Sequence, residues 1–107
     1  MQWTPLSEAT KTALDQLKLF QTAKLSLEDK IVCVARLEDG LFAITNSCPH
    51  AGAELHHGFC NKRGVITCPL HGYKFDMRTG SSADGNNYKL LNYRFKTEDG
   101  ILYIGSR

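Results

Sequence analysis

Two short stretches constrain this chain more than anything else in it. They are Cys48-Pro49-His50-Ala51-Gly52 and Cys68-Pro69-Leu70-His71-Gly72, and seventeen residues separate His50 from Cys68. Each offers one thiolate and one imidazole, with a proline between them and a glycine following. Proline stiffens a loop, and glycine lets the backbone pass close to large atoms. Each stretch follows a run that reads as a β-strand, so each is expected on a loop beyond a sheet edge. A fold that lets two such loops face each other can hold one cofactor between them. All four histidines fall between positions 50 and 71, beside Cys48, Cys60 and Cys68, so the chemistry is concentrated in one third of the chain.

The rest of the composition narrows the class. The chain has 107 residues, 42% hydrophobic and 22% charged, which suits one globular domain over residues 1–107 and argues against disorder. A formal net charge of +2, with no clustering of basic residues, leaves no nucleic-acid footprint. The longest purely apolar run, Ile31-Val32-Cys33-Val34-Ala35, is far short of a membrane span. The start, Met1-Gln2-Trp3-Thr4-Pro5, has neither a basic patch nor an apolar stretch after it, so no signal peptide is expected. The expectation is a cytoplasmic protein with no nucleic-acid or membrane partner. In that compartment cysteines close to histidines point to metal rather than to disulfides.

Two hairpins are well signalled. Residues 30–37 should pair with 41–45 across Glu38-Asp39-Gly40, and residues 90–96 with 101–104 across Glu98-Asp99-Gly100. In both, Asp-Gly supplies the residues that tolerate positive φ in tight turns. Residues 65–67 and 73–75 read as short strands, Asp76 to Gly80 as a turn, and residues 80–87 as a polar loop. Near the start, Ser7 is placed to cap a short helix carrying Ala13, Leu14 and Leu17 on one face. The expected fold is all-β: a small antiparallel sandwich or barrel with a short N-terminal helix and two cofactor loops, at about 46–53 and 68–73.

Two cysteines and two histidines could hold structural Zn²⁺, which would make the chain a zinc-stabilised interaction module. Typical zinc spacings, however, pair Cys with Cys and His with His. Here every pair is mixed, and Cys-x-His leaves one residue between donors, tight for a single tetrahedral ion. A [2Fe–2S] rhomb has two irons, so each loop can give its Cys to one iron and its His to the other. On these residues, and on the continuation Gly72-Tyr73-Lys74-Phe75-Asp76-Met77-Arg78-Thr79-Gly80, the chain resembles the Rieske family from about Lys30 to Gly105. The resemblance implies that Cys48 and Cys68 bind the inner iron and that His50 and His71 bind the outer iron.

The resemblance also points to a branch. Members from respiratory cytochrome bc complexes carry a further Cys in each loop, joined as a disulfide; the matching positions here are Ala53 and Leu70. Their Ser and Tyr hydroxyl donors to sulfur match Tyr73 and Phe75. The chain therefore looks like a low-potential Rieske-type ferredoxin, although residues 81–92 lack the proline usual in the third loop. The implied function is one-electron transfer to an oxygenase or reductase partner; the alternative is the small Rieske subunit of a nitrite-reductase-like enzyme. Two ferric ions, two sulfides, two thiolates and two neutral imidazoles sum to zero charge, and a neutral centre accepts an electron more easily than an all-cysteine dianion. No nucleophile, general base or substrate pocket is legible, so no substrate-transforming site is expected. The remaining candidates read blandly: Cys33 as a buried small hydrophobe, Cys60 as a free thiol in a turn, His56 and His57 as solvated strand residues. Trp3, Tyr73, Phe75, Tyr93 and Tyr103 read as packing, and Lys62 and Arg63 as a solvated turn.

Overall fold

The computed structural model describes residues 2–48, 52–70 and 72–106. Nine strands are described: β1 (Gln2–Pro5), β2 (Thr22–Ser26), β3 (Ile31–Leu37), β4 (Gly40–Thr45), β5 (Phe59–Cys60), β6 (Val65–Thr67), β7 (Lys74–Asp76), β8 (Asn92–Glu98) and β9 (Ile101–Ser106). One helix, α1 (Glu8–Asp15), and a 3₁₀ turn, Leu55–His57, complete the elements. The strands form a six-stranded sheet in the order β1-β9-β8-β4-β3-β2 and a three-stranded sheet in the order β5-β6-β7. All pairings are antiparallel. β4 and β8 are neighbours in the large sheet, and the stretch of chain between them carries the whole small sheet.

The apolar run in β3 explains how the two sheets are joined. Val32 and Val34 point to one face of the large sheet, into a core with Leu14 of α1, Leu25, Ala43, Tyr93, Leu102 and Ile104. Cys33, Ala35 and Leu37 point to the other face, into a core with Ile44, Leu55, Ile66, Phe75 and Met77. Strand alternation thus serves two cores at once, which is why this strand reads as continuously hydrophobic. The helix covers one face and the small sheet covers the other. Among the described residues, no helix is long and apolar enough to cross a membrane.

Local signals account for several of these elements. The Ser7 side chain accepts the Thr10 backbone N–H at 3.1 Å, the expected N-cap. The helix stops at Asp15, before Leu17, where the Arg36 guanidinium donates to the Leu14 carbonyl at 3.0 Å. In the β8–β9 hairpin Asp99 and Gly100 both take positive φ, 52° and 79°, the mirror-image two-residue turn. The β3–β4 hairpin differs from expectation. Leu37 pairs with Gly40, so Glu38-Asp39 form the turn, and of its Asp-Gly dipeptide Gly40 alone has positive φ, at 131°. Asp39 instead turns its carboxylate outward to Arg78, 2.7 Å away, tying the hairpin to the segment after β7.

Candidate metal centre

The two loops singled out in the sequence are built alike. The first leaves β4 and carries Cys48; the second joins β6 to β7 and carries Cys68. In the first, the Cys48 N–H donates to the Ala53 carbonyl at 2.8 Å and the Gly52 N–H to the Cys48 carbonyl at 2.7 Å. In the second, the Cys68 N–H donates to the Tyr73 carbonyl at 2.6 Å and the Gly72 N–H to the Cys68 carbonyl at 3.1 Å. The repeated sequence pattern is therefore a repeated backbone closure, with each cysteine at the base of its own loop. Gly52 and Gly72 have φ of 68° and 74°, and a Cβ on either would meet nothing within 4 Å. Both glycines thus supply left-handed backbone at the end of their loops, which a residue with a side chain rarely adopts.

Cys48 and Cys68 are each 1% exposed and share one apolar core with Leu55, Ile66 and Phe75. Two cysteines buried at the bases of matching loops could bind as thiolates only with a cation to compensate their charge, and a metal centre would supply it. His50 and His71 lie outside the described residues. Cys33 and Cys60 share the same core but sit on strands. Burial, followed by the neighbouring Cys60, pushes the Cys33 thiol up to about 12, and burial pushes Cys60 up to about 11. Such thiols are protonated and inert at neutral pH. Both are free, and Cys33 is the buried small residue expected. Cys60 lies on β5 rather than in a turn, because Phe59 and Cys60 find partners in Thr67 and Ile66.

The neighbourhood of the first loop also departs from expectation. His56 and His57 occupy the 3₁₀ turn Leu55–His57, not a strand, and His56 is half-buried. The reason is Asn46, a buried polar residue that closes the loop's entrance onto its exit. Its carbonyl oxygen Oδ1 accepts the His56 backbone N–H at 2.9 Å, and its backbone carbonyl accepts the Leu55 N–H at 2.7 Å. Its Nδ2 lies 3.0 Å from His56 Nδ1. Burial, then His57 alongside, lowers the pKa of His56. Sequence reasoning missed Asn46, whose sole signal is a polar residue just before Cys48.

On the other side, the third loop is pinned by Asp84. It takes the Ser82 hydroxyl at 2.6 Å and the Lys74 N–H at 2.9 Å, and the Ser82 bond, with these others, lowers its pKa to about 2. That loop brings Tyr88 against Tyr73 of the second loop, ring centres 5.8 Å apart. An aromatic residue thus packs over the second loop from the segment without a proline.

The sequence profile of the Rieske [2Fe-2S] domain matches residues 2–93. The chain belongs to the Rieske [2Fe-2S] family. Its cofactor is accordingly a Rieske-type [2Fe–2S] cluster. This Rieske chain is 34% identical over 80 residues to the anthranilate 1,2-dioxygenase ferredoxin subunit of Burkholderia cepacia, covering 75% of this chain and 68% of that one. It superposes with a TM-score of 0.80 on the ferredoxin of carbazole 1,9a-dioxygenase from Nocardioides aromaticivorans IC177, at 32% identity and over 97% and 99% of the two chains. A chain described as an NADH-dependent nitrite reductase small subunit, from Mycobacterium tuberculosis, gives a TM-score of 0.77 over 99% and 95% of the chains. At 22% identity that likeness speaks for the fold alone.

Proposed function

We propose that this Rieske chain is a ferredoxin that hands single electrons to an oxygenase, with Cys48, His50, Cys68 and His71 as the cluster ligands. The observation that carries the reading is the matched pair of loops, each closed by the same two hydrogen bonds around a buried cysteine. The cluster supplies reversible uptake of one electron. The chain's own residues bury the two thiolates, hold the loops by the Asn46 clasp and the Asp84 pin, and cover the second loop with Tyr88. Residues 1–107 are read as one domain, with cofactor loops at 46–53 and 68–73, working in the cytoplasm. The oxygenase partner is favoured over a nitrite-reductase partner because relatives at 32% and 34% identity are named as dioxygenase ferredoxins.

Iron and acid-labile sulfide should each be present at two per chain, and stoichiometric zinc without sulfide would overturn the assignment. Dithionite-reduced protein should then be reoxidised in a stopped-flow mix with a substrate-loaded Rieske oxygenase. Reoxidation by a nitrite reductase large subunit but by no oxygenase would reverse the choice of partner.

A further inference from the structure

Just beyond the first loop, Glu54, His56 and His57 each offer a ligand atom, and the three atoms lie within 4.8 Å of one another. None of them is among the four cluster ligands. We propose that Glu54, His56 and His57 form a second, separate metal site that takes a borderline-soft divalent ion such as Zn²⁺.

The local fold explains why these groups converge. The 3₁₀ turn stacks the two imidazoles, with ring centres 4.0 Å apart, and returns His57 Nε2 to within 3.4 Å of Glu54 Oε2. Two ligands at about 2.0–2.1 Å from a tetrahedral zinc are separated by a comparable distance. The two oxygens of Glu54 are already divided in role. Oε1 receives the Lys24 ammonium at 3.1 Å, while Oε2 faces His57. Asn46 fixes the plane of His56: its Oδ1 accepts the His56 backbone N–H at 2.9 Å, and its Nδ2 and Oδ1 lie 3.0 Å and 3.3 Å from His56 Nδ1. An ion taken through His56 Nε2 would select the tautomer whose Nδ1 proton faces Asn46 Oδ1, the arrangement in which an outer carbonyl orients a metal-binding imidazole. Glu54 and His57 keep 44% and 64% of their side chains exposed, so an ion has an open path and water can complete its coordination. Two imidazoles and one carboxylate suit Zn²⁺, Ni²⁺ or Cu²⁺ rather than Mg²⁺, which prefers oxygen donors. Because Ala53 and Asn46 close the first cluster loop beside this turn, a bound ion would fasten that loop at its exit.

Isothermal titration of untagged, cluster-loaded protein with Zn²⁺ tests the proposal. One ion per chain is expected, with no comparable uptake of Mg²⁺. His57→Ala and Glu54→Gln should each weaken binding at least about tenfold while leaving the cluster's visible spectrum unchanged. Lys24→Met should tighten it, since the ammonium competes for Glu54. No saturable Zn²⁺ uptake, equal uptake of Mg²⁺, or wild-type affinity in His57→Ala would each overturn the site.

Discussion

At the scale of single residues, four side chains should behave differently from all others near them. Cys48→Ser, Cys68→Ser, His50→Ala and His71→Ala should each abolish or badly weaken cluster assembly, read as loss of visible colour and of iron. Cys33→Ala, Cys60→Ser and His57→Ala should keep the colour, because none of them supplies a cluster ligand. A colourless Cys60→Ser protein would mean that this strand thiol had been misassigned. Phe75 matters for what it lacks. It is fully buried in the core that holds Cys48 and Cys68, the two proposed cysteine ligands, and it has no hydroxyl to donate to sulfur. With Ala53 and Leu70 also excluding a bridging disulfide, the potential should fall near the low end of the Rieske span, about −150 mV rather than about +300 mV. Protein-film voltammetry reads this directly, and a value well above zero would refute it. Cys33 and Cys60 add a pH dependence. Their thiols ionise at about 12 and about 11 when folded, against an ordinary value of 9.0. The unfolded chain therefore loses their protons first, so above pH 9 it binds fewer protons than the native state and stability falls as pH rises. The contribution is intact below about pH 9 and lost towards pH 11–12, at up to about 1.4 kcal/mol per pH unit for each thiol. Urea titrations at pH 8 and 10.5 should show the drop in the parent protein, and Cys33→Ala should show less of it.

At the scale of elements, β1 pairs with β9 along its whole length and makes one unusually close fit. Trp3 pairs with Gly105 of β9, and a Cβ on Gly105 would come within 2.7 Å of the indole. Lys96 Nζ lies over the same ring, 4.6 Å from its centre. Gly105→Ala should therefore push the indole off its seat and loosen β1, costing about 1–3 kcal/mol as other overpacked sites do. Trp3 is the one tryptophan in the chain, so its fluorescence reports on this strand alone. A red shift is expected, and unchanged emission in Gly105→Ala would show that the indole is not confined as the structure has it.

At the scale of the whole molecule, the large sheet separates two cores of different character. One face packs α1 through Leu14 against Val32, Val34, Tyr93 and Ile104. The other packs the small sheet and contains Cys48 and Cys68, the proposed cysteine ligands. Removing the iron takes away the counter-charge of one core and leaves the other untouched. Hydrogen exchange after mild chelation should show β6 and β7 losing protection while β8 and β9 retain most of theirs. Equal loss throughout would indicate that the two cores unfold as one unit.

The sequence by itself determined the features that depend on neighbours in the chain. The Ser7 cap, the Asp99-Gly100 turn and the repeated Cys-Pro-His-Gly pattern act within a few residues, so their identities carry their geometry. The family, and with it the cluster, follows from that pattern. Only the tertiary structure decided the features that depend on distant partners. Phe59 and Cys60 form a strand because Thr67 and Ile66 lie alongside, and Gly40 rather than Asp39 takes positive φ in a register where Leu37 pairs with Gly40. His56 leaves solvent because Asn46, ten residues earlier, offers its amide. A strand pairing or a buried hydrogen bond across such separations has no local signature, because the free energy that favours it comes from the partner. For the same reason the convergence of Glu54, His56 and His57 could be seen only once the 3₁₀ turn had placed them together.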